Sequence, residues 1–382
     1  MIGLQVLFWI SILLLFYSYV GYGLLLGCVN LFKKKKINGN LEDLPPVTLV
    51  IAGYNEAVVV RQKIENCLFL DYPKDKLSII FVSDGSTDDT NKILKKASQI
   101  QLIEKSNRQG KAAALNSAMQ IVQTPYVVFT DANSILNKES IKKVISHFAD
   151  EKVGAVAGEK KIVAASGVGE AEGLYWQYES LMKKIDAQFY TVLSATGELF
   201  AMRTNLFQPL KETVILDDFS LSLNICLQGY QIEYEPAAYS VETATPSIEE
   251  EKERKIRIAA GAFQVLAQLS WSDLMANGKL FFQFISRRWM RWVVCPFAII
   301  VAFFSNLLLV QENSFYYNLF ILQIVFYTLA IIGYALMKKR KSLLPTTIPF
   351  YFLFMNYCMI KGWLRFKKKK QTVLWQKIQR QA

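Results

Sequence analysis

The chain has 382 residues, of which 52% are hydrophobic and 20% charged, and its mean hydropathy is +0.20. That balance excludes both an ordinary soluble domain and a chain wholly embedded in lipid. The net charge of +12 does not point to nucleic acid: much of the excess sits in Lys33–Lys36, Lys338–Lys341 and Lys367–Lys370, each beside an apolar block, where anionic lipid headgroups account for it.

The first apolar block, Ile2–Val29, carries no charge. At about 1.5 Å per helical residue it is long enough to cross a bilayer core of about 30 Å. No basic residue precedes it and Lys33–Lys36 follow it, so residues 1–30 read as an uncleaved transmembrane anchor rather than a signal peptide. The positive-inside rule puts the amino terminus outside and the following chain in the cytoplasm.

Residues 45–270 have the size of one globular domain, and their first half alternates strand and helix signals as parallel α/β units do. Val47–Glu56 reads as a strand ending in a polar turn, Val58–Leu70 as a helix, Leu77–Ser86 as a strand and Thr87–Gln99 as a helix opening with acids. Ile100–Ser106, Gly110–Val122 and Tyr126–Ser134 continue as strand, helix, strand. Ligands of open α/β sheets bind at the carboxyl ends of the strands, so Asn55 and Glu56, Asp84–Ser86, and Asp131 with Asn133 are expected to converge on one crevice. No GxGxxG follows the first strand and no GxxxxGK[ST] occurs at a strand end, which removes the dinucleotide and P-loop readings. Carboxylate, amide, serine and the cations Arg108 and Lys111 remain, a set suited to ribose hydroxyls, a base edge, phosphate and a hard metal.

Beyond the domain, residues 277–292 carry aromatic and basic residues in helical register and read as an interfacial helix. Apolar blocks follow at Trp292–Val310, Phe315–Met337 and Leu343–Trp363 within a membrane region 293–365, and a basic tail occupies 366–382. Three clean crossings would leave Lys367–Lys370 outside, against the charge rule, so one block is expected to be re-entrant or interfacial. Pro345 and Pro349 point to the last. The five cysteines have no paired spacing, and the single histidine, His147, reads as a surface residue of an amphipathic helix.

Five stretches in order, VIAGYNE, VSDGSTDDT, NRQGKAAALN, FTDANS and ILDDFSLSLNICLQGY, resemble the motifs of the family 2 glycosyltransferases of the GT-A fold. The likeness is to their membrane-integrated branch, which includes cellulose, hyaluronan and poly-N-acetylglucosamine synthases. It implies an α/β catalytic domain of GT-A type, Rossmann-like and flanked by transmembrane helices, in a multi-pass cell-membrane protein. By the same resemblance Asp84 contacts the uridine of a UDP-sugar; Asn55 and Glu56, from the converging strand ends, and Lys111, as a cation for phosphate or base, are expected on the donor side with it. Asp131 and Asn133 occupy the metal-binding DxD position for Mg²⁺ or Mn²⁺, the amide supplying one fewer charge than a carboxylate. Asp218 aligns with the base that deprotonates the acceptor hydroxyl in an inverting transfer.

The family's QxxRW motif corresponds to RKIRI, which retains Arg257, with Arg254 beside it, but substitutes Ile258 for the aromatic residue. Processive synthesis and transfer of one sugar to a polyprenyl-phosphate carrier therefore both stay open, as does a catalytically silent nucleotide-binding scaffold. The implied partners are a sugar nucleotide, a saccharide or lipid-linked acceptor and the membrane, with a polymer-export component compatible and nucleic acid not expected. Each residue has a plainer reading. An Asx turn suffices for Asp131–Asn133, helix capping for Asp84–Ser86 and for Asp217–Asp218, and a solvated basic face for Arg254–Arg257. Gly197 in TGELFAMR suits either an ordinary turn or a close approach of backbone to a sugar.

Overall fold

The structure, a computed structural model, describes residues 1–33, 43–163 and 167–374. Of the expected lysine cluster and basic tail, residues 34–36 and 375–382 lie outside the described residues. The chain forms two units. One is built on a sheet and contains Lys33–Val163, Trp176–Thr243 and Thr372–Ala382; the other is helical and contains Met1–Phe32, Ala164–Tyr175 and Ala244–Gln371.

Among the described residues the sheet unit has eight strands: β1 (Val47–Gly53), β2 (Leu77–Asp84), β3 (Gln101–Lys105), β4 (Tyr126–Asp131), β5 (Ile135–Leu136), β6 (Val153–Val163), β7 (Phe200–Arg203) and β8 (Gln231–Thr243). Their order is β3-β2-β1-β4-β7-β6-β8-β5. The first four neighbours are parallel, and all seven residues of β1 are buried, as expected of a central parallel strand covered on both faces. Leu49, Ile51, Phe81, Val128 and Val156 belong to one continuous core beneath the helices.

The second half of the sheet is mixed. β7 runs antiparallel to β4, with Phe200 opposite Phe129, so the loop that precedes β7 lies at the carboxyl edge of β4. β6 is antiparallel to β7 and parallel to β8, which brings the carboxyl ends of both to the same edge. One expectation fails here. His147 is buried, not a surface residue, because its helix packs on the sheet and its Nε2 lies 2.8 Å from Glu235 of β8.

Among the described residues of the helical unit, three helices are long and apolar enough to cross a membrane: Ile2–Leu31, Gly278–Leu309 and Ser314–Lys338. The residues expected as a separate interfacial helix run without a break into the second of these, through a π-helical stretch at Ile285–Val294. The fourth apolar block forms the helix Leu344–Lys367, with Pro349 inside it, and is not among the three. It packs instead against the helix Ile248–Gln268, so closely that a Cβ added at Gly362 would stand 2.3 Å from the Ala259 Cβ. Small residues permit this approach. Helix Ile248–Gln268, expected within the catalytic domain, thus belongs to the helical unit. All five cysteines are free.

Candidate active site

The polar ends of β1 and β2 are stitched together. Asn55 adopts a positive φ of 56°, which asparagine tolerates, and its Oδ1 accepts from the Thr87 backbone N–H at 2.7 Å. The Glu56 backbone N–H donates to Thr90 Oγ1 at 2.8 Å. Asp84 is fully buried, and its two carboxylate oxygens accept from the Gln109 and Gly110 backbone N–H groups at 2.9 and 2.7 Å. Its work in this structure is to hold the turn that leads into the helix Lys111–Met119, rather than to face an open crevice. Gly85 is required beside it: at φ 71° a Cβ would stand 2.6 Å from the Arg108 backbone nitrogen. Arg108 stacks over the Tyr54 ring, 3.8 Å from its centroid, leaving a flat cationic surface at this edge.

Lys111, at the start of that helix, reaches across the ends of the strands. Its Nζ lies 2.6 Å from Asp131 Oδ1, at the end of β4, and 3.5 Å from Asp217 Oδ2. Burial opposes its charge, but Asp131, Asp217 and Asp218 outweigh that and hold its pKa well above the ordinary lysine range. Asp217 and Asp218 open the helix Asp217–Leu227, where carboxylates face the positive end of the helix dipole. Asp218 Oδ1 accepts from the Phe219 backbone N–H at 2.7 Å, and Oδ2 from the Gly197 N–H at 3.2 Å. Burial and then the neighbouring Asp217 push its pKa up to about 7.

Gly197 faces the middle of this group. A Cβ at Gly197 would stand 2.6 Å from Lys111 Nζ and 3.9 Å from oxygens of both Asp131 and Asp218. A glycine here leaves room for the Lys111 ammonium between the acids. The next residue, Glu198, pairs with the buried Lys160 of β6, whose Nζ also lies 2.6 Å from Glu242 of β8. Burial alone would raise the Glu198 pKa, and the Lys160 charge overrides it, taking it down to about 2.

The donor set fits a hard divalent cation. Oxygens of Asp131, Glu198 and Glu242 lie within 4.8 Å of one another, and Asn133, two residues beyond Asp131, is partly exposed. A cationic side chain, Lys111, already stands among Asp131, Asp217 and Asp218, which marks the cleft as one that favours positive charge.

Among the residues expected at the site, Asn55, Glu56, Asp84, Lys111, Asp131, Asn133 and Asp218 all lie in the sheet unit at or beside its carboxyl edge. Arg254 and Arg257 lie on the helix Ile248–Gln268 of the helical unit. The Arg254 guanidinium is committed there to two buried carboxylates, Glu251 at 2.9 Å and Glu172, rather than presented as a solvated basic face. Glu198, Lys160, Glu242 and Lys63 were not singled out from the sequence. The available signal was weak: a charged residue within an otherwise apolar face, such as Lys63 between Val60 and Cys67.

The mixed sheet carries an acidic edge, and in sequence it is flanked by helices long and apolar enough to cross a membrane. Residues 48–214 match the family model for glycosyl transferase family 2. It is 27% identical over 277 residues to the poly-beta-1,6-N-acetyl-D-glucosamine synthase of Staphylococcus aureus strain COL, covering 67% of this chain and 65% of that one. The Staphylococcus epidermidis synthase of the same name is 25% identical over 271 residues, with the same coverage. The match thus spans about two thirds of the length of these relatives. In fold, the chain is similar to the mannosyltransferase PcManGT from Pyrobaculum calidifontis, determined in complex with GDP-Man and Mn2+. The TM-score is 0.74 at 22% identity, covering 96% of this chain and all of that one.

Proposed function

We propose that the protein is an inverting, metal-dependent glycosyltransferase that moves a sugar from a UDP-sugar to a saccharide or lipid-linked acceptor at the cytoplasmic face of the cell membrane, in surface glycan synthesis. The observation that carries this reading is the pairing of Asp218, a carboxyl with a pKa of about 7, with the cation-attracting cluster of Lys111, Asp131 and Asp217 beside it. A base for a sugar hydroxyl works best with a proton affinity near the working pH. A nucleoside diphosphate leaving group needs positive charge at the other end of the site.

In this reading Asp218 takes the proton of the acceptor hydroxyl as its oxygen bonds to the anomeric carbon, and the bond from that carbon to the diphosphate oxygen breaks on the opposite face. One displacement inverts the anomer. Asp131 and Asn133 would hold Mg²⁺ or Mn²⁺, with Glu198 and Glu242 behind them. The bound ion supplies neutralisation of the charge that develops on the departing diphosphate. Lys111 contributes a second cation at the same end. Asp84 holds the donor edge through the backbone of Gln109 and Gly110, Asn55 and Glu56 hold it through Thr87 and Thr90, and Arg108 over Tyr54 offers a surface for the base. Within the RKIRI stretch the Arg254 guanidinium is engaged by Glu172 and Glu251.

Orientation follows from the charge clusters. With three crossings and an outside amino terminus, Lys33, Lys338–Lys341 and Lys367–Lys370 all fall on one side, as the positive-inside rule requires. The test is turnover by the full-length protein in lipid nanodiscs with Mg²⁺ or Mn²⁺, a panel of UDP- and GDP-sugars, and products resolved by size. The relatives' name makes an N-acetylglucosamine donor the first to try. Metal-dependent nucleotide release with lengthening products establishes a polymerase despite Ile258, and a single-sugar lipid product establishes single transfer. Nucleotide binding without release from any donor overturns the enzymatic reading in favour of a silent scaffold.

A further inference from the structure

Lys63 is a lysine with no exposed surface, on the helix Val60–Leu68 behind β4. Its Nζ donates to Thr130 Oγ1 at 2.9 Å and to the Ser134 carbonyl at 2.6 Å. These two acceptors flank Asp131, Ala132 and Asn133 on either side, so one ammonium grips both ends of the turn that carries the acid and the amide. Three residues on, and so on the same helix face, Asn66 grips the chain just beyond: its Nδ2 donates to the Leu136 carbonyl at 2.7 Å, and its Oδ1 accepts from the Leu136 N–H at 2.9 Å. The hydroxyls finish the knot, with Ser134 Oγ donating to the Asp131 carbonyl at 3.0 Å. Thr130 Oγ1 donates to the Glu198 carbonyl at 2.8 Å, in the loop whose Gly197 N–H holds Asp218.

A residue with only a packing role in this position would be apolar, as Val60 and Cys67 on the same buried face are. Burying an ammonium is costly unless its donors are used, and two of the three are spent on the turn. We propose that Lys63 is a positioning residue that sets the Asp131–Asn133 turn in the conformation that binds a divalent cation, a role that rests on the metal-binding reading given above. It touches neither donor nor acceptor sugar. Through Thr130 and Glu198 it also keeps that turn in register with the loop that orients Asp218.

The experiment uses the full-length protein in nanodiscs with UDP present, and reads Mn²⁺ binding from the loss of the free-ion electron paramagnetic resonance signal. Outer partners of metal ligands typically contribute about 10- to 100-fold in affinity. Lys63→Met, which keeps the aliphatic stem, is expected to weaken Mn²⁺ binding by at least about 10-fold, while UDP binding measured without metal stays within about twofold of wild type. Thr130→Val, isosteric and lacking the acceptor, is expected to shift Mn²⁺ binding in the same direction, and it decides the matter if the Lys63 variant does not fold. Folded variants with wild-type Mn²⁺ affinity overturn the role of Lys63 alone. A wild-type protein that binds no Mn²⁺ with UDP overturns the metal reading itself and this role with it.

Discussion

The ammonium of Lys111 stands 2.6 Å from the carboxylate of Asp131, in reach of Asp217 as well, and its charge holds down the proton affinity of Asp218. Replacing Lys111 with Met removes that charge, so the Asp218 carboxyl should hold its proton to higher pH. The rising limb of the rate against pH should move alkaline by about one unit or less at this partly solvated site. A profile that stays in place, measured at saturating donor and metal, would show that the lysine does not act on the base.

Asp218→Asn retains the shape of the side chain and loses the base. Transfer should fall by about 10²- to 10⁴-fold, the usual contribution of general base catalysis, with nucleotide affinity little changed. Isothermal titration with UDP alongside single-turnover transfer separates the two effects. Full activity in this variant would remove Asp218 from the mechanism.

The raised pKa of Asp218 also has a stability consequence of definite sign. Its folded value of about 7 lies above the ordinary value of 3.8, so between those limits the folded state binds more protons than the unfolded one. Its contribution therefore weakens stability as pH rises from about 4 to about 7 and levels off above. Relative to wild type, Asp218→Asn should gain melting temperature across that window and show no gain below it, as followed by intrinsic fluorescence in nanodiscs.

Chelation with EDTA should abolish transfer, and Mn²⁺ or Mg²⁺ should restore it. Asn133→Asp adds one carboxylate to the cation site and should lower the metal concentration for half-maximal rate by several-fold, since affinity follows ligand charge. Activity that persists unchanged in chelator would contradict the assignment of Asp131 and Asn133.

Lys160 is almost fully buried between Glu198 and Glu242. Lys160→Met leaves two buried carboxylates without their cation, which typically costs about 3–5 kcal/mol. The variant should melt markedly earlier than wild type. The double change Lys160→Met with Glu242→Gln should recover part of the loss, and thermal denaturation in nanodiscs measures both.

Much of this protein was legible in its sequence, for local reasons. An uncharged run such as Ile2–Val29 has few structures open to it other than a membrane helix. The β1, β2 and β4 runs are apolar and end in Asn55, Asp84 and Asp131, so strand identity and the polar ends appear together. The motif at Ile215–Tyr230 placed Asp218 at a helix start, where the structure has it. The chain did not reveal the surroundings of those residues. His147 read as exposed because helical periodicity marks a face without saying that β8 and Glu235 will cover it. Arg254 read as a solvated or donor-facing cation because its partner Glu172 comes from a distant segment.

Sequence by itself determined the class of domain, the long apolar helix at the start of the chain and the acids at the strand ends, since each depends on residue type and short-range spacing. Only the tertiary structure decided that Gly197 donates to Asp218, that Lys111 joins Asp131 to Asp217, and that Lys63 and Lys160 sit beneath them. The reason lies in the sheet. Turning β7 antiparallel between β4 and β6 brings the Thr196–Glu198 loop to the end of β4, and with it a set of buried charges whose meaning depends entirely on which neighbours neutralise them.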